Sequence, residues 1–317
     1  MASLLSKIKP GALGGARTAT GGARPPAALE LTFEGVVAAA LPSHSAPPVF
    51  AFQALPPDAL RPGTAEPNLA APAQVVTAIR TALDAVTPRS KAVTLILPDL
   101  SVRVFVLDFD SLPARPVEAL SLIRFRLRKA VPFDVEEATV SYQVLKQTKI
   151  DCRVLAAVVP GPILAEYEAA VREAGYEPGA VLPSSLAAIA AIDTTEAAIA
   201  ANLNQHTLTT IVTAGQDLLL FRTLELPSET VARQAEVQRD LSVAAAFFED
   251  KLQAPPLTLF YSGAGGVEHF VDWIAEPEPW LSAMKLVDIV PPPETGVVTA
   301  LGGASIAGVS GALVGVS

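Results

Sequence analysis

A single cysteine, Cys152, leaves the chain no intramolecular disulfide and no thiolate cluster. Histidine is almost as scarce. His44, His206 and His269 are scattered, and no His-x-x-x-His or Cys-x-x-Cys spacing exists to hold zinc. There is no Gly-x-Ser-x-Gly elbow, so Ser43-His44-Ser45 does not read as a hydrolase site; neighbours in sequence do not make a triad. The start, "MASLLSKIKP", has no apolar core long enough for a signal peptide. The run "VVTALGGASIAGVSGALVGV" is broken by five glycines and reads as a buried small-residue helix plus tail, not a span. Basic residues are in deficit, 23 against 32 acidic, and a net charge of −9 speaks against nucleic-acid binding. These absences predict a soluble, cytoplasmic protein in a reducing compartment.

Half of the 317 residues are apolar, enough for two ordinary domains with real cores. Residues 1–26 end in "GALGGARTATGGARPP", glycine-rich and aperiodic, which predicts a flexible lead-in. "ALELTFEGVVAAAL" and "PPVFAFQALP" read as strands. "PAQVVTAIRTALDAV" (72–86) has apolar residues at 75, 76, 79 and 83 and reads as a helix. "AVTLILPDLSVRVFVLDFD" follows as two strands around a turn at Pro98-Asp99, and its Asp108 and Asp110 read as an aspartate-rich strand end. A second unit, 113–182, carries strands "ATVSYQVL" and "CRVLAAVV" and a helix ended by Gly175. In the strand, Cys152 reads as a buried small hydrophobe. Ser184 or Ser185 is a candidate cap for "SSLAAIAAI", and Ser228 for the helix after it. A glycine at 215 marks a hairpin between two later strands. The succession of strands, helix and strands occurs twice, with 113–182 inserted in the first half.

The densest basic run, Arg124, Arg126, Arg128 and Lys129, lies in "SLIRFRLRKAVPFDVEEATVSYQV". Pro116 suits a helix's first turn and Pro132 its stop, giving a helix over 114–130. Val117, Leu120, Ile123, Leu127, Ala130 and Val131 share one arc, with Arg124 inside it and Arg128 at its edge. Two accounts fit. The arginines are stems lying along apolar surface with wetted heads, or they rim an apolar groove for a partner segment.

With these elements placed, the chain after residue 26 resembles the pilus-assembly PilM family, actin-like relatives of FtsA. The likeness rests on "LRKAVPFDVEEATVSYQVL", on "AALELTFEGVVAAAL" where the family has its first phosphate loop, on "YEAAVREAGYEPGAVLPSSLAAIAAI", and on "LTLFYSGAGG" as the adenosine loop. The resemblance implies an α/β, actin-like (RNase H-like) two-domain fold with an inserted α+β subdomain. The lead-in would be 1–26, domain I 27–112 plus 183–197, the insert 113–182, and domain II 198–317.

Glycine turns let backbone N–H groups approach phosphates, and carboxylates hold the magnesium through water. Both phosphate loops depart from that pattern. The first reads Glu30-Leu31-Thr32 without its glycine, and the family lysine has no counterpart. The second reads Asn202-Leu203-Asn204, losing a carboxylate and a glycine together. Only Ser262-Gly263-Ala264-Gly265-Gly266 keeps the family pattern. The resemblance thus implies a scaffold without ATP hydrolysis, its site degenerate and needing no cofactor. ATP with magnesium stays open through the third loop. The implied partner is the cytoplasmic tail of a PilN-like membrane protein at the inner-membrane face, met through Arg124, Leu127, Arg128 and Phe133. Rival expectations are an ATP-binding switch of the same machinery and a type II secretion component.

Overall fold

The computed structural model describes residues 24–43, 46–215, 217–274, 277–291, 301, 303–314 and 316. The expected lead-in lies outside them except for its last three residues, and so does His44.

Ala27–Leu31 (β1) turns into Gly35–Ala40 (β2), and every residue of both strands is buried. Continuous apolar runs of this kind are what a sheet covered on both faces requires. Val49–Ala54 (β3), Ala92–Leu97 (β4) and Glu177–Pro183 (β8) complete a sheet of order β3-β2-β1-β4-β8. Its first two junctions are antiparallel and its last two parallel.

The second sheet repeats this plan. Ala197–Leu203 (β9), Thr207–Ala214 (β10), Asp217–Glu225 (β11), Thr258–Gly263 (β12) and Lys285–Asp288 (β13) stand in the order β11-β10-β9-β12-β13. Its antiparallel and parallel junctions fall in the same places. The duplication read from the sequence is therefore a repeated topology. Gly215 turns the β10–β11 hairpin with φ +61°, a conformation that favours glycine.

Pro72–Val86 (α1) and Gly161–Glu173 (α3) cover one face of the first sheet; Val75, Val76, Ile79 and Leu83 are all buried there. Gly175 lies just beyond α3 at φ +93°, and its N–H bonds back to the helix at Arg172 O. Ser184–Ile189 (α4) and Ala307–Leu313 (α8) pack on the other face. At their crossing a Cβ on Gly311 would collide with the Ala187 carbonyl, so only glycine permits the approach. Thr230–Leu252 (α5) and Gly266–Ile274 (α6) cover the second sheet, and Pro279–Ser282 (α7) leads into β13. Among the described residues no helix is long and apolar enough to cross a membrane.

The inserted lobe differs from expectation in its bounds. Arg103–Phe109 (β5) does not pair with β4; it joins Ala138–Gln147 (β6) and Cys152–Pro160 (β7) in a separate sheet, β5-β7-β6. The insert therefore begins before 113. It also ends before 182, because α3 packs into the first core and β8 belongs to the first sheet. Pro116–Leu127 (α2) covers one face of the three-stranded sheet. The other face meets β10, β11 and α4 through Val104, Val106, Leu155, Ile211 and Leu218.

Three local expectations are corrected. The helix over 114–130 is shorter, and Val117, placed in its buried arc, is 78% exposed; only Ala119, Ile123 and Leu127 are buried. Glu229, not Ser228, caps α5, its carboxylate accepting from Val231 N and Ala232 N. Ser184 and Ser185 do not cap α4; their hydroxyls serve the site described next.

Candidate functional site: the cleft between the two sheets

The C-terminal ends of β1 and β4, the turn after β9 and the loop after β12 converge on a cleft of about 290 Å³. Its floor is a polar network joining the two halves. Glu30, at the end of β1, is 6% exposed and accepts from Ser184 Oγ at 2.5 Å and from the backbone N–H of Val309. Burial pushes its pKa up to about 7; Ser184 opposes the rise, while Asp99 and Glu34 add to it.

Asp99, just after β4, is buried more completely by partners. It accepts from Ser185 N at 3.1 Å, from Ser185 Oγ, and from Thr209 Oγ1 at 2.9 Å. Burial raises its pKa against the pull of these donors. Asn202, on β9, turns its amide toward Ser184, Ser185 and Asp99, at 3.2, 2.9 and 3.4 Å. A carboxylate at position 202 would be a third acid beside two already resisting ionisation. The amide supplies donors instead.

The turn after β1 is closed on itself. Thr32 Oγ1 takes the N–H of Gly35 at 3.1 Å, and Thr32 N donates to Gly35 O at 2.8 Å. The turn after β9 is closed likewise: Asn204 Oδ1 accepts from His206 N and Thr207 N at 2.9 Å each and from Thr207 Oγ1 at 2.7 Å. In the third loop Gly265 and Gly266 have φ +74° and +69°. There Gly265 N donates to Gly303 O at 2.9 Å, and Val267 N to Asp288 Oδ1 at 2.8 Å. Ser262 Oγ meets Ser305 Oγ at 2.9 Å.

Of the residues singled out in the sequence, Glu30, Thr32, Asn202, Asn204, Ser262 and Gly263 line the cleft together. Gly265 and Gly266 shape its third loop without lining it. Asp99, Ser184, Phe33 and His269 line it too and were not foreseen. One signal for Asp99 was available: an acid one proline beyond "VTLIL", a run of four apolar residues and a threonine.

The partner surface expected on α2 is not assembled. Arg124 donates to the carbonyl oxygens of Val135 and Ala138, the latter at 3.0 Å, and so holds the lobe's own backbone. Leu127 is fully buried and Phe133 packs against the same core. Arg128 pairs with Glu136 at 2.5 Å. The helix instead exposes Val117 and Phe125, with Arg126 next to the latter in sequence and Lys129 just past the helix end. Asp108, weighed above as a strand-end turn, makes a cross-strand pair with Arg153 at 2.7 Å. Among the described residues no group of three His, Cys, Asp or Glu is placed to hold a metal ion.

Two sheets of one topology flanking a cleft, with a lobe inserted in the first half, make this an actin-like fold of PilM-like architecture. The PilM-PilN type IV pilus biogenesis complex contains such a chain. It superposes with a TM-score of 0.71 at 18% identity, covering 93% of this chain and 100% of that one. The cytoplasmic domain of EpsL, an inner-membrane component of the Vibrio cholerae type II secretion system, matches with a TM-score of 0.48 at 13% identity. That match covers 75% of this chain and 81% of the other. No protein-family model and no curated protein sequence matches the chain.

Proposed function

We propose that this protein is an adaptor of a type IV pilus or related inner-membrane assembly, binding the short cytoplasmic tail of a PilN-like membrane protein at the membrane's cytoplasmic face. The observation that carries the reading is the likeness to PilM along the full length of that chain. The adaptor works without ATP hydrolysis. A magnesium triphosphate needs free N–H donors in both phosphate turns and carboxylates for the metal's waters. Here Thr32 and Asn204 spend the donors internally, and an amide stands at 202. The residues do not fit that ligand.

A synthetic tail peptide titrated calorimetrically should bind, and V117S/F125S should weaken it if α2 is the docking face. Loss of all tail binding in the folded wild-type protein would overturn the adaptor reading. Mg-ATP at millimolar concentration should leave Tm unchanged, whereas a ligand at a hundred times its Kd adds about 2.7 kcal/mol. The rival, a nucleotide switch, draws on glycines 265 and 266, whose positive φ lets backbone approach a ligand closely. A clear Tm rise with Mg-ATP would favour it.

A further inference from the structure

The cleft's lining has a sign. Its charged side chains are Glu30, Glu34, Asp99 and Arg233, and the guanidinium is already engaged with Pro227 O and Ser228 O at 3.1 and 2.6 Å. Backbone donors that would greet an anion are taken by Thr32, Asn204, Gly303 and Asp288. Carboxylate capacity is not all taken. Asp99 is surrounded by the donors of Ser185, Thr209 and Asn202, whereas Glu30 receives Ser184 and Val309 and has lone-pair sites to spare.

The rest of the lining mixes polar side chains with five aromatic ones. Phe33 and Phe52 come from the first half, and Tyr261, Phe270 and Trp273 from the second. Tyr261 is 3% exposed and lines the cleft, its ring stacked on Phe270 with centroids 4.5 Å apart. Aromatic faces and a neighbouring carboxylate together are the chemistry that selects organic cations.

We propose that the cleft is a binding site for a small organic ammonium with a flat apolar body, its charged head against Glu30 and its body among Phe33, Phe52 and Trp273. The cleft, at about 290 Å³, has the room for a molecule of one or two rings. This inference rests on the reading above that phosphates are not the cleft's ligands.

The test uses the whole protein and three isosteric probes: phenylpropylammonium, phenylpropanol and phenylbutyrate, with Mg-ATP as a fourth arm. Fluorescence of Trp273 and calorimetry report occupancy. The ammonium should bind and the carboxylate should not, with the alcohol between them. Glu30→Gln should weaken the ammonium by about 10- to 100-fold, the loss of one charge-assisted contact, while leaving the alcohol unchanged. Trp273→Phe, which keeps an aromatic wall, should retain ammonium binding by calorimetry and lose most of the fluorescence response. No ammonium binding, equal binding of all three probes, or unchanged ammonium affinity in folded E30Q would each overturn the inference. If neither ammonium nor Mg-ATP binds, this inference falls alone. If Mg-ATP binds and ammonium does not, the nucleotide-free adaptor falls with it.

Discussion

The ring of Phe33, on the turn after β1, meets the imidazole of His206, on the turn after β9, with centroids 4.1 Å apart and planes inclined by 36°. The two turns belong to different sheets and stand on opposite sides of the cleft. The two turns that the resemblance assigns to phosphates here hold two rings against each other. Contact across the cleft is thus supplied by the protein itself.

Phe33→Ala should therefore loosen the halves without unfolding either. Aromatic pairs contribute about 0.5–1.5 kcal/mol beyond the area they bury. A double-mutant cycle with His206→Ala should return a coupling in that range. Hydrogen exchange should quicken at both turns, near 31–36 and 203–207, in either single variant. Strict additivity of the two stability losses would show that the rings do not couple the halves.

The buried acid Glu30 makes a pH signature. Its folded pKa, about 7, lies above its ordinary 4.5, so between those values the folded state holds the extra proton. Its contribution is fully favourable below about 4.5 and declines as pH rises through 7. Glu30→Gln should remove that slope and gain on wild type above neutrality by up to about 3 kcal/mol. Asp99 and Glu34 face the same site, so the slope is read as the wild-type minus E30Q difference in denaturation midpoints from pH 4 to 8. Parallel curves would show that folding leaves the titration of Glu30 unshifted.

Two arginines of one helix should behave oppositely. Arg124→Met removes the guanidinium from the Val135 and Ala138 carbonyls, and should cost about 2–3 kcal/mol. Arg128→Ala breaks a pair that is more than half exposed on both sides and should leave the urea midpoint almost unchanged. Urea midpoints for both variants decide the matter; equal losses would return Arg124 to the role of a surface stem.

Gly311→Ala forces a methyl into the Ala187 carbonyl at the α4–α8 crossing. Overpacking of this kind costs about 1–3 kcal/mol and opposes the gain in helix propensity. A melting curve suffices, and an unchanged or raised Tm would mean that the two helices separate at no cost.

How far the sequence carried this picture depended on the distance over which each feature is made. Helix α1 was legible to the residue, because its apolar positions recur within a single fifteen-residue segment that faces one sheet. The hairpin at Gly215 was legible from local turn chemistry, whereas the turns at Thr32 and Asn204 were reached only through the family resemblance, "ALELTFEGVVAAAL" having read as one strand. Arg124 was not, since a helical projection contains no trace of the Val135 and Ala138 carbonyls that the following segment folds back. Asp99 was missed for a similar reason. Pro98-Asp99 reads as a turn until Ser185, Asn202 and Thr209 are brought to it from the second half of the chain. The bounds of the inserted lobe were misread because β5 continues the apolar pattern of β4 while leaving its sheet.

Helix α8 packs against β1, β2 and α4, and its residues Ile306, Val309, Ala312 and Leu313 share a core with Ala28, Val37 and Ile96. The face of the first sheet is thus finished by residues made nearly three hundred positions later. During vectorial synthesis the second half has been translated, and is free to fold, before that face is covered. Until then Ala28, Val37, Ala39 and Ile96 present a flat apolar surface to the ribosome exit and its chaperones. A protein whose halves look like repeats thus has the first of them covered only after the second has been made.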